Sequence, residues 1–125
     1  MKDPQELLPL TPLSLHILLA LAAGANHGYG LMKTVREATG GTINPATGTV
    51  YLALQRLEDE GLVGDGGLEP ETEGRARRRI WTITQFGREV ATADAQRLVG
   101  LVGRAVDTKL LNPASLAELT RHQGA

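Results

Sequence analysis

Apolar residues recur at helical spacing along most of the chain, and the region around residue 50 shows this pattern most clearly. Four residues there form the i, i+3, i+4, i+7 stripe of a half-buried amphipathic helix: Val50, Ala53, Leu54 and Leu57. Asn44 can cap this helix, Pro45 suits its first position and Gly61 can end it, so we predict a helix at about 45–60. Its opposite face is small and hydroxyl-bearing near the N-terminus and acidic near the C-terminus, which fits both a helix that reads the major groove of DNA and an ordinary surface helix.

A leucine-rich helix is predicted at about 12–23, near the start of the chain. Thr11 is a suitable cap for it and Gly24 a suitable stop. Its main apolar stripe is widened by Leu15 and Leu19, so that most of its circumference is apolar. Because such a helix is usually covered on more than one side, we expect these two leucines to contact a second subunit.

The remainder of residues 1–83 predicts a winged helix-turn-helix domain. A helix at about 29–39 is followed by a short turn and by the capped helix at about 45–60, which is a helix-turn-helix pattern. Two strand-like runs come next, at about 62–65 and 79–83, on either side of a glycine-rich loop. A hairpin in this position is the wing. The predicted fold class is therefore mainly α with a small β-hairpin, an α+β fold.

Residues 84–125 predict two more helices, a long one at about 85–111 and a short one at about 113–121. Small and aliphatic residues recur along the long helix at the spacing of a heptad seam: Ala91, Ala95, Leu98, Val102 and Ala105. Since the winged domain is complete by residue 83, this seam has nothing left to cover it within one chain. We therefore expect residues 84–125 to form the dimerisation segment of a homodimer.

The charge of the chain changes this picture, because a net charge of −1 is unfavourable for a protein that binds nucleic acid. Four of the 13 basic residues, however, fall within five positions at the base of the wing: Arg75, Arg77, Arg78 and Arg79. The loop before them is acidic, with Asp65, Glu69, Glu71 and Glu73, and we expect it to bend away from phosphate or to pair with these arginines. A solvated or ion-paired strand end would show the same arginine run.

Other classes of protein find little support in the composition. There is no cysteine, and the three histidines have neither metal-ligand spacing nor a nucleophile beside them, so we expect no metal, no cofactor and no enzyme activity. No apolar run approaches the roughly 20 residues of a membrane span, and the N-terminus lacks the pattern of a secretion signal. We expect a cytoplasmic protein that does not contact a membrane.

Residues 13–106 resemble the PadR family of bacterial winged-helix transcription regulators. The resemblance is carried mainly by the run Gly-Thr-Val-Tyr-Leu-Ala-Leu-Gln-Arg-Leu-Glu-Asp-Glu-Gly-Leu-Val at 48–63, with support from 27–31 and 74–84. The chain departs from the family pattern at Gly30, where an acidic residue is common, and in the wing, where Ala76 replaces a proline and Ile80-Trp81 replace two tyrosines. The short C-terminal part resembles the subgroup that dimerises through a single long helix.

The resemblance implies a homodimeric repressor on palindromic double-stranded operator DNA, released by a small hydrophobic effector. Four residues of the third helix are our candidates for contact with base edges: Ala46, Thr47, Thr49 and Gln55. Leu52 could meet a thymine methyl group or a neighbouring protein. The candidates for phosphate contact are Tyr29, Lys33 and Tyr51, together with the wing residues Arg75, Arg77, Arg78 and Arg79. The chain has no aromatic residue after Phe86, so we expect no aromatic-stacking pocket on the long helix.

An alternative class is a winged-helix module that binds protein and not DNA. The nearly neutral net charge supports it, as do the acidic end of the third helix at Glu58-Asp59-Glu60 and the acidic loop of the wing. Retention on heparin, or a shift of upstream DNA in a gel, would separate the two hypotheses.

Overall fold

The computed structural model describes residues 2–70, 74 and 76–123. Its α+β fold is mainly helical with one small antiparallel sheet, as the sequence pattern predicts. A short 3-10 helix at Pro4–Leu7 precedes the regular elements, which are α1 (Pro12–Ala23), β1 (Asn26–His27), α2 (Gly28–Ala38), α3 (Thr47–Asp59), β2 (Val63–Leu68), β3 (Arg79–Ile83), α4 (Gln85–Asp107) and α5 (Ala114–Gln123). The chain divides into two compact units, Met1–Asp94 and Ala95–Ala125, so the division falls inside α4 and not at its start.

Helix α3 begins two residues later than the cap pattern predicts. Ala46 is its N-cap, and the extended backbone of this residue, with a ψ of 156°, excludes Pro45 from the helix. Asn44 therefore does not cap it, and no side chain accepts a hydrogen bond from its first turn. By contrast, the side chain of Thr11 caps α1 by accepting from the Ser14 N–H at 3.1 Å.

The wing belongs to a three-stranded sheet in which β3 lies between β1 and β2, and both pairs are antiparallel. Strand β1 was not predicted, because two residues give no alternating pattern. It pairs Asn26 with Trp81. Strand β2 continues to Leu68, three residues beyond the predicted end, and its pairing with β3 is irregular between Asp65 and Leu68.

The core of the winged unit is built from one stripe of each of the first three helices, together with residues of β2, β3, the N-terminal part of α4 and the turn after α3. It contains Ile17, Leu18, Leu21, Leu31, Val35, Val50, Leu54, Leu57, Leu62, Val63, Trp81, Val90 and Ala91. The inner stripe of α3 is therefore fully used in packing, while its outer face is left to solvent. The two strands that follow α3 are anchored in the same core.

In the unit Ala95–Ala125, helix α4 ends at Asp107, before the predicted residue 111. Lys109 has a φ of 66°, the left-handed conformation that stops a helix. Asn112 then accepts a hydrogen bond from the Ala114 N–H at 3.0 Å and opens α5. Across the whole described part of the chain, none of the helices combines the length and the apolar character that crossing a membrane requires.

The first turn of α4 is tied at Thr84 to the turn that follows α3. The Thr84 hydroxyl donates to the Gly61 carbonyl at 2.6 Å and accepts from the Gly87 N–H at 2.9 Å. Gly87 lies so close to the end of α3 that a Cβ atom there would overlap the Leu62 carbonyl oxygen. Only glycine fits at this position without moving the backbone.

We predict that Gly87→Ala lowers the free energy of unfolding by about 1–3 kcal/mol, the usual cost of forcing an extra methyl group into a packed site. Gly48→Ala is the matched control, since Gly48 also lies in the first turn of a helix but has open space around it. Its free energy of unfolding should stay equal or rise slightly, because alanine favours helix. Chemical denaturation followed by circular dichroism measures both, and equal stability of the two variants would contradict the proposed close approach.

Candidate nucleic-acid interface

The outer face of α3 presents all four candidate base-contacting residues to solvent: Ala46, Thr47, Thr49 and Gln55. Leu52 lies among them and is 66% exposed, although it is apolar. The Thr47 hydroxyl donates to the Met32 sulfur at 3.4 Å, so it is partly engaged with α2. This face could accept a partner along its whole length without disturbing the core.

Helix α2 and the wing meet around the exposed ring of Tyr29. The Nζ of Lys33 lies 6.0 Å from the ring centroid, and the guanidinium carbon of Arg78 lies 5.9 Å from it. Both distances are within the range of a cation–π interaction. The structure therefore brings together three of the predicted phosphate contacts from two different elements.

Tyr51 packs against the start of α2. A Cβ atom on Gly28 would lie 2.7 Å from the Cζ of Tyr51, so glycine makes room for the ring. Gly28 directly follows His27, whose Nδ1 accepts from the Gly30 N–H at 3.0 Å and caps α2. The Tyr51 ring thus lies between α3 and the first turn of α2, at the residue that precedes Tyr29 in the chain.

Arg78 is paired within the chain. Its Nε donates to the Glu69 carboxylate at 2.7 Å, and this hydrogen bond lowers the pKa of Glu69 from its ordinary value. The other oxygen of Glu69 lies 3.8 Å from the Nε2 of His27. The acidic loop therefore pairs with an arginine at this position, one of the two arrangements that the sequence pattern predicts.

Arg79 is also paired, and its side chain points back toward α3. Its Nη2 donates to the Glu58 carboxylate at 2.6 Å, and its guanidinium carbon lies 3.8 Å from the centroid of the Trp81 ring. Arg77 is exposed on the wing. Arg75, Glu71 and Glu73 lie outside the described residues.

A groove of about 540 Å³ separates α3 from the wing. It is lined by Gly48, Tyr51, Leu52, Gln55, Arg79 and Trp81. Its walls thus come from the outer face of the third helix on one side and from β3 on the other. The sequence pattern predicts both of these elements, but it does not show that a groove lies between them.

The predicted dimer contacts differ in exposure. In the winged unit Leu15 is half-buried and Leu19 exposed, but Ala91 is only 8% exposed and packs in the core of its own chain, so it is not left for a subunit seam. Within Ala95–Ala125, Ala95 and Leu98 are exposed and Val102 and Ala105 half-buried.

Glu58, to which the sequence pattern assigned no contact with the arginines, occupies the guanidinium group of Arg79. Glu69, which the pattern placed in the acidic loop without naming its partner, occupies that of Arg78. A weak signal for them existed, since each carboxylate belongs to an acidic run near the arginine-rich strand. Their partners lie 21 and 9 residues further along the chain, and only the folded sheet shows which acidic residue meets which arginine.

Residues 17–93 match the transcriptional regulator PadR-like family. Among solved structures, a PadR family transcription regulator from Clostridium difficile is similar, with a TM-score of 0.67 and 23% identity over 78% of this chain and 98% of that one. A Streptococcus transcriptional regulator is 27% identical, with a TM-score of 0.64, over 78% of this chain and 91% of that one.

An uncharacterized 37.1 kDa protein in transposon TN4556 of Streptomyces fradiae is 31% identical over 99 residues, or 79% of this chain. The match spans only 26% of that longer protein. The family match covers more than half of this chain, from within α1 to within α4, and the family consists of transcriptional regulators and not of enzymes. The chain belongs to the PadR-like family of transcriptional regulators.

Proposed function

We propose that this regulator binds double-stranded operator DNA through the outer face of α3, the start of α2 and the wing. The observation that carries this proposal is the division of α3 into two faces. Its apolar stripe is buried, while the candidate residues from Ala46 to Gln55 on the other side are exposed. Tyr51 of the same helix packs against Gly28, which precedes Tyr29 in the chain. A helix held only by its inner face can enter a major groove.

The charge around this face supports the proposal more than the net charge does. Lys33 and Arg78 both lie about 6 Å from the centre of the Tyr29 ring. Arg77, the residue before Arg78, is exposed on the wing. The first turn of α3 has no side-chain cap, and uncapped N–H groups at a helix N-terminus favour phosphate. Phosphate contacts of this kind fix the orientation of a protein on the duplex.

Sequence preference would come from Gln55, Thr49 and Leu52. A glutamine can pair with adenine, and an apolar side chain can contact the methyl group of thymine. Leu52 is the most exposed of the large hydrophobic side chains of α3, and it lies one turn from both Gly48 and Gln55. Its exposure is unfavourable in water, which is consistent with an apolar contact in the complex.

We infer further that the active form is a homodimer on a palindromic site and acts as a repressor released by a small hydrophobic effector. Exposed apolar residues of the unit Ala95–Ala125 support the dimer, among them Val99, which is 70% exposed. The effector is an inference from the resemblance to the family. It would act by changing the distance between two recognition helices, because half-sites lie about 34–36 Å apart.

A second candidate is a protein-binding winged helix, and the pairing of Arg78 with Glu69 and of Arg79 with Glu58 favours it. Fragments selected from random DNA by the purified protein separate the candidates. Enrichment of a palindrome supports the DNA-binding proposal, and no retention of DNA at low salt would refute it.

Arg77→Ala should weaken binding to every DNA sequence. The slope of log K against log[salt] should fall by about 0.9 for each phosphate that the variant no longer neutralises, or about 1.8 for a dimer. Arg88→Ala, which removes an exposed arginine of α4, is the control with the same change in charge. Salt titrations by fluorescence anisotropy measure both variants, and identical slopes would show that Arg77 does not contact phosphate.

Leu52→Ala should abolish sensitivity to one thymine methyl group in each half-site. For the wild type, replacing that thymine by deoxyuridine should weaken binding about fourfold, since a buried methyl group contributes about 0.8 kcal/mol. The variant should bind both DNAs equally, while Gln55→Ala should remain sensitive to the methyl group. If wild type and Leu52→Ala respond alike at every thymine, Leu52 has no role in recognition.

Leu98→Glu should shift the protein from dimer to monomer, because a subunit seam would bury the new carboxylate without a partner. Gln96→Glu is the control, since residue 96 is exposed and lies outside the predicted seam. Sedimentation velocity measures the mass of each variant. A dimeric Leu98→Glu protein would place the subunit contact elsewhere.

A further inference from the structure

One side chain, that of Arg79, connects the recognition helix to both strands of the wing. Arg79 begins β3 and pairs in register with Leu68 of β2. Its Nη2 reaches the Glu58 carboxylate, in the last turn of α3, at 2.6 Å, and the two residues are 21 positions apart in the chain. Its Nε lies 3.8 Å from the carboxylate of Asp65 in β2.

The flat guanidinium also lies against the indole ring of Trp81. The distance from its central carbon to the ring centroid is 3.8 Å, and Trp81 is only 2% exposed. The Nε of Arg79 is itself buried. A planar guanidinium that stacks on an aromatic ring and faces a carboxylate at its edge is held in one orientation.

We propose that Arg79 is a positioning residue, which fixes the wing against α3 through Glu58, and that it does not bind phosphate. This differs from the prediction made from the arginine run, in which Arg79 is a phosphate contact like its neighbours. The proposal rests on the proposed DNA-binding function, because the separation of α3 and the wing matters only if one duplex contacts both.

A phosphate bound at the Nη2 of Arg79 would lie close to the Glu58 carboxylate, which already accepts from this nitrogen at 2.6 Å. Like charges so close repel each other, so phosphate binding here is unfavourable while Glu58 is in place. Arg77, by contrast, is exposed on the wing. Arg78 is also paired, but with Glu69 of the wing itself, so its ion pair does not join the wing to α3. Arg79 therefore differs from Arg78 in what its ion pair joins, since the pair of Arg79 connects the wing to α3.

The exposure of Arg79 and Glu58 limits how much the loss of their ion pair can weaken DNA binding. Both side chains are more than a third exposed, and such ion pairs contribute at most about 1 kcal/mol. If the pair favours the wing position that binds DNA, its loss can weaken binding at most about fivefold per protomer. The fold itself should tolerate the loss.

Substitution of Glu58 distinguishes a positioning role of Arg79 from a phosphate-binding role, because the two predict opposite changes in DNA affinity. If Arg79 holds the wing, Glu58→Gln releases the wing and weakens DNA binding. If Arg79 binds phosphate, Glu58→Gln frees its guanidinium and removes a competing negative charge, so binding becomes tighter. Asp59→Asn is the control, because it removes a charge from the same helix end at an exposed residue.

The experiment is a salt titration of selected operator DNA with wild type, Glu58→Gln, Arg79→Gln, the double variant and Asp59→Asn. We expect Glu58→Gln and Arg79→Gln to weaken binding by a similar factor, up to about fivefold per protomer, with the salt slope of the wild type. The double variant should bind no more weakly than Arg79→Gln, since both changes break the same ion pair. Denaturant unfolding of each variant checks that it is folded.

Tighter binding by Glu58→Gln than by Asp59→Asn would overturn the proposal. A salt slope reduced by about 0.9 per protomer in Arg79→Gln would overturn it as well. If Arg79→Gln does not fold, the sign of the Glu58→Gln effect decides alone. Wild-type protein that binds no DNA at low salt would refute the proposed function together with this role, whereas binding by the wild type and tighter binding by Glu58→Gln would refute this role alone.

Discussion

The burial of the α3 stripe is the interaction on which the rest of the structure depends. Val50, Leu54 and Leu57 are almost completely removed from solvent by packing with α1, α2 and the sheet. Full burial of such side chains contributes roughly 1.5–3 kcal/mol each. Because this packing uses one side of the helix alone, it fixes the rotation of α3 about its axis. The exposure of Leu52 and Gln55 on the other side is then a consequence of the core.

Close contacts beside the core further fix the position of α3. Tyr51 fits into the space that Gly28 leaves at the start of α2, and Gly87 allows α4 to begin directly beside the Leu62 carbonyl. Thr84 links that helix to the end of α3 through the Gly61 carbonyl. These contacts join the elements that the proposed interface uses, so a duplex would meet a surface that is already arranged.

The sequence predicts those parts of the fold that depend on neighbours in the chain. The cap of α1 is an example, since Thr11 accepts from an N–H only three residues away. The predicted start of α3 was wrong. Asn44 and Pro45 form the local pattern of a cap followed by a first-turn proline, but the extended backbone of Ala46 delays the start of the helix to Thr47. Strand β1 is too short to have a pattern. The α3 face was predictable from its periodicity, but the pairings of Arg78 and Arg79 required the folded sheet.

These pairings change how the net charge of −1 bears on DNA binding. A count of basic residues overestimates the cations available to phosphate when carboxylates of the same chain occupy Arg78 and Arg79. A protein with few available cations gains less affinity from counterion release, and its binding depends less steeply on salt. Within the proposed function, base contacts by residues such as Gln55 and Leu52 must then supply a larger share of the binding free energy. The separation of α3 and the wing becomes correspondingly important, because base contacts tolerate less displacement than interactions between charges.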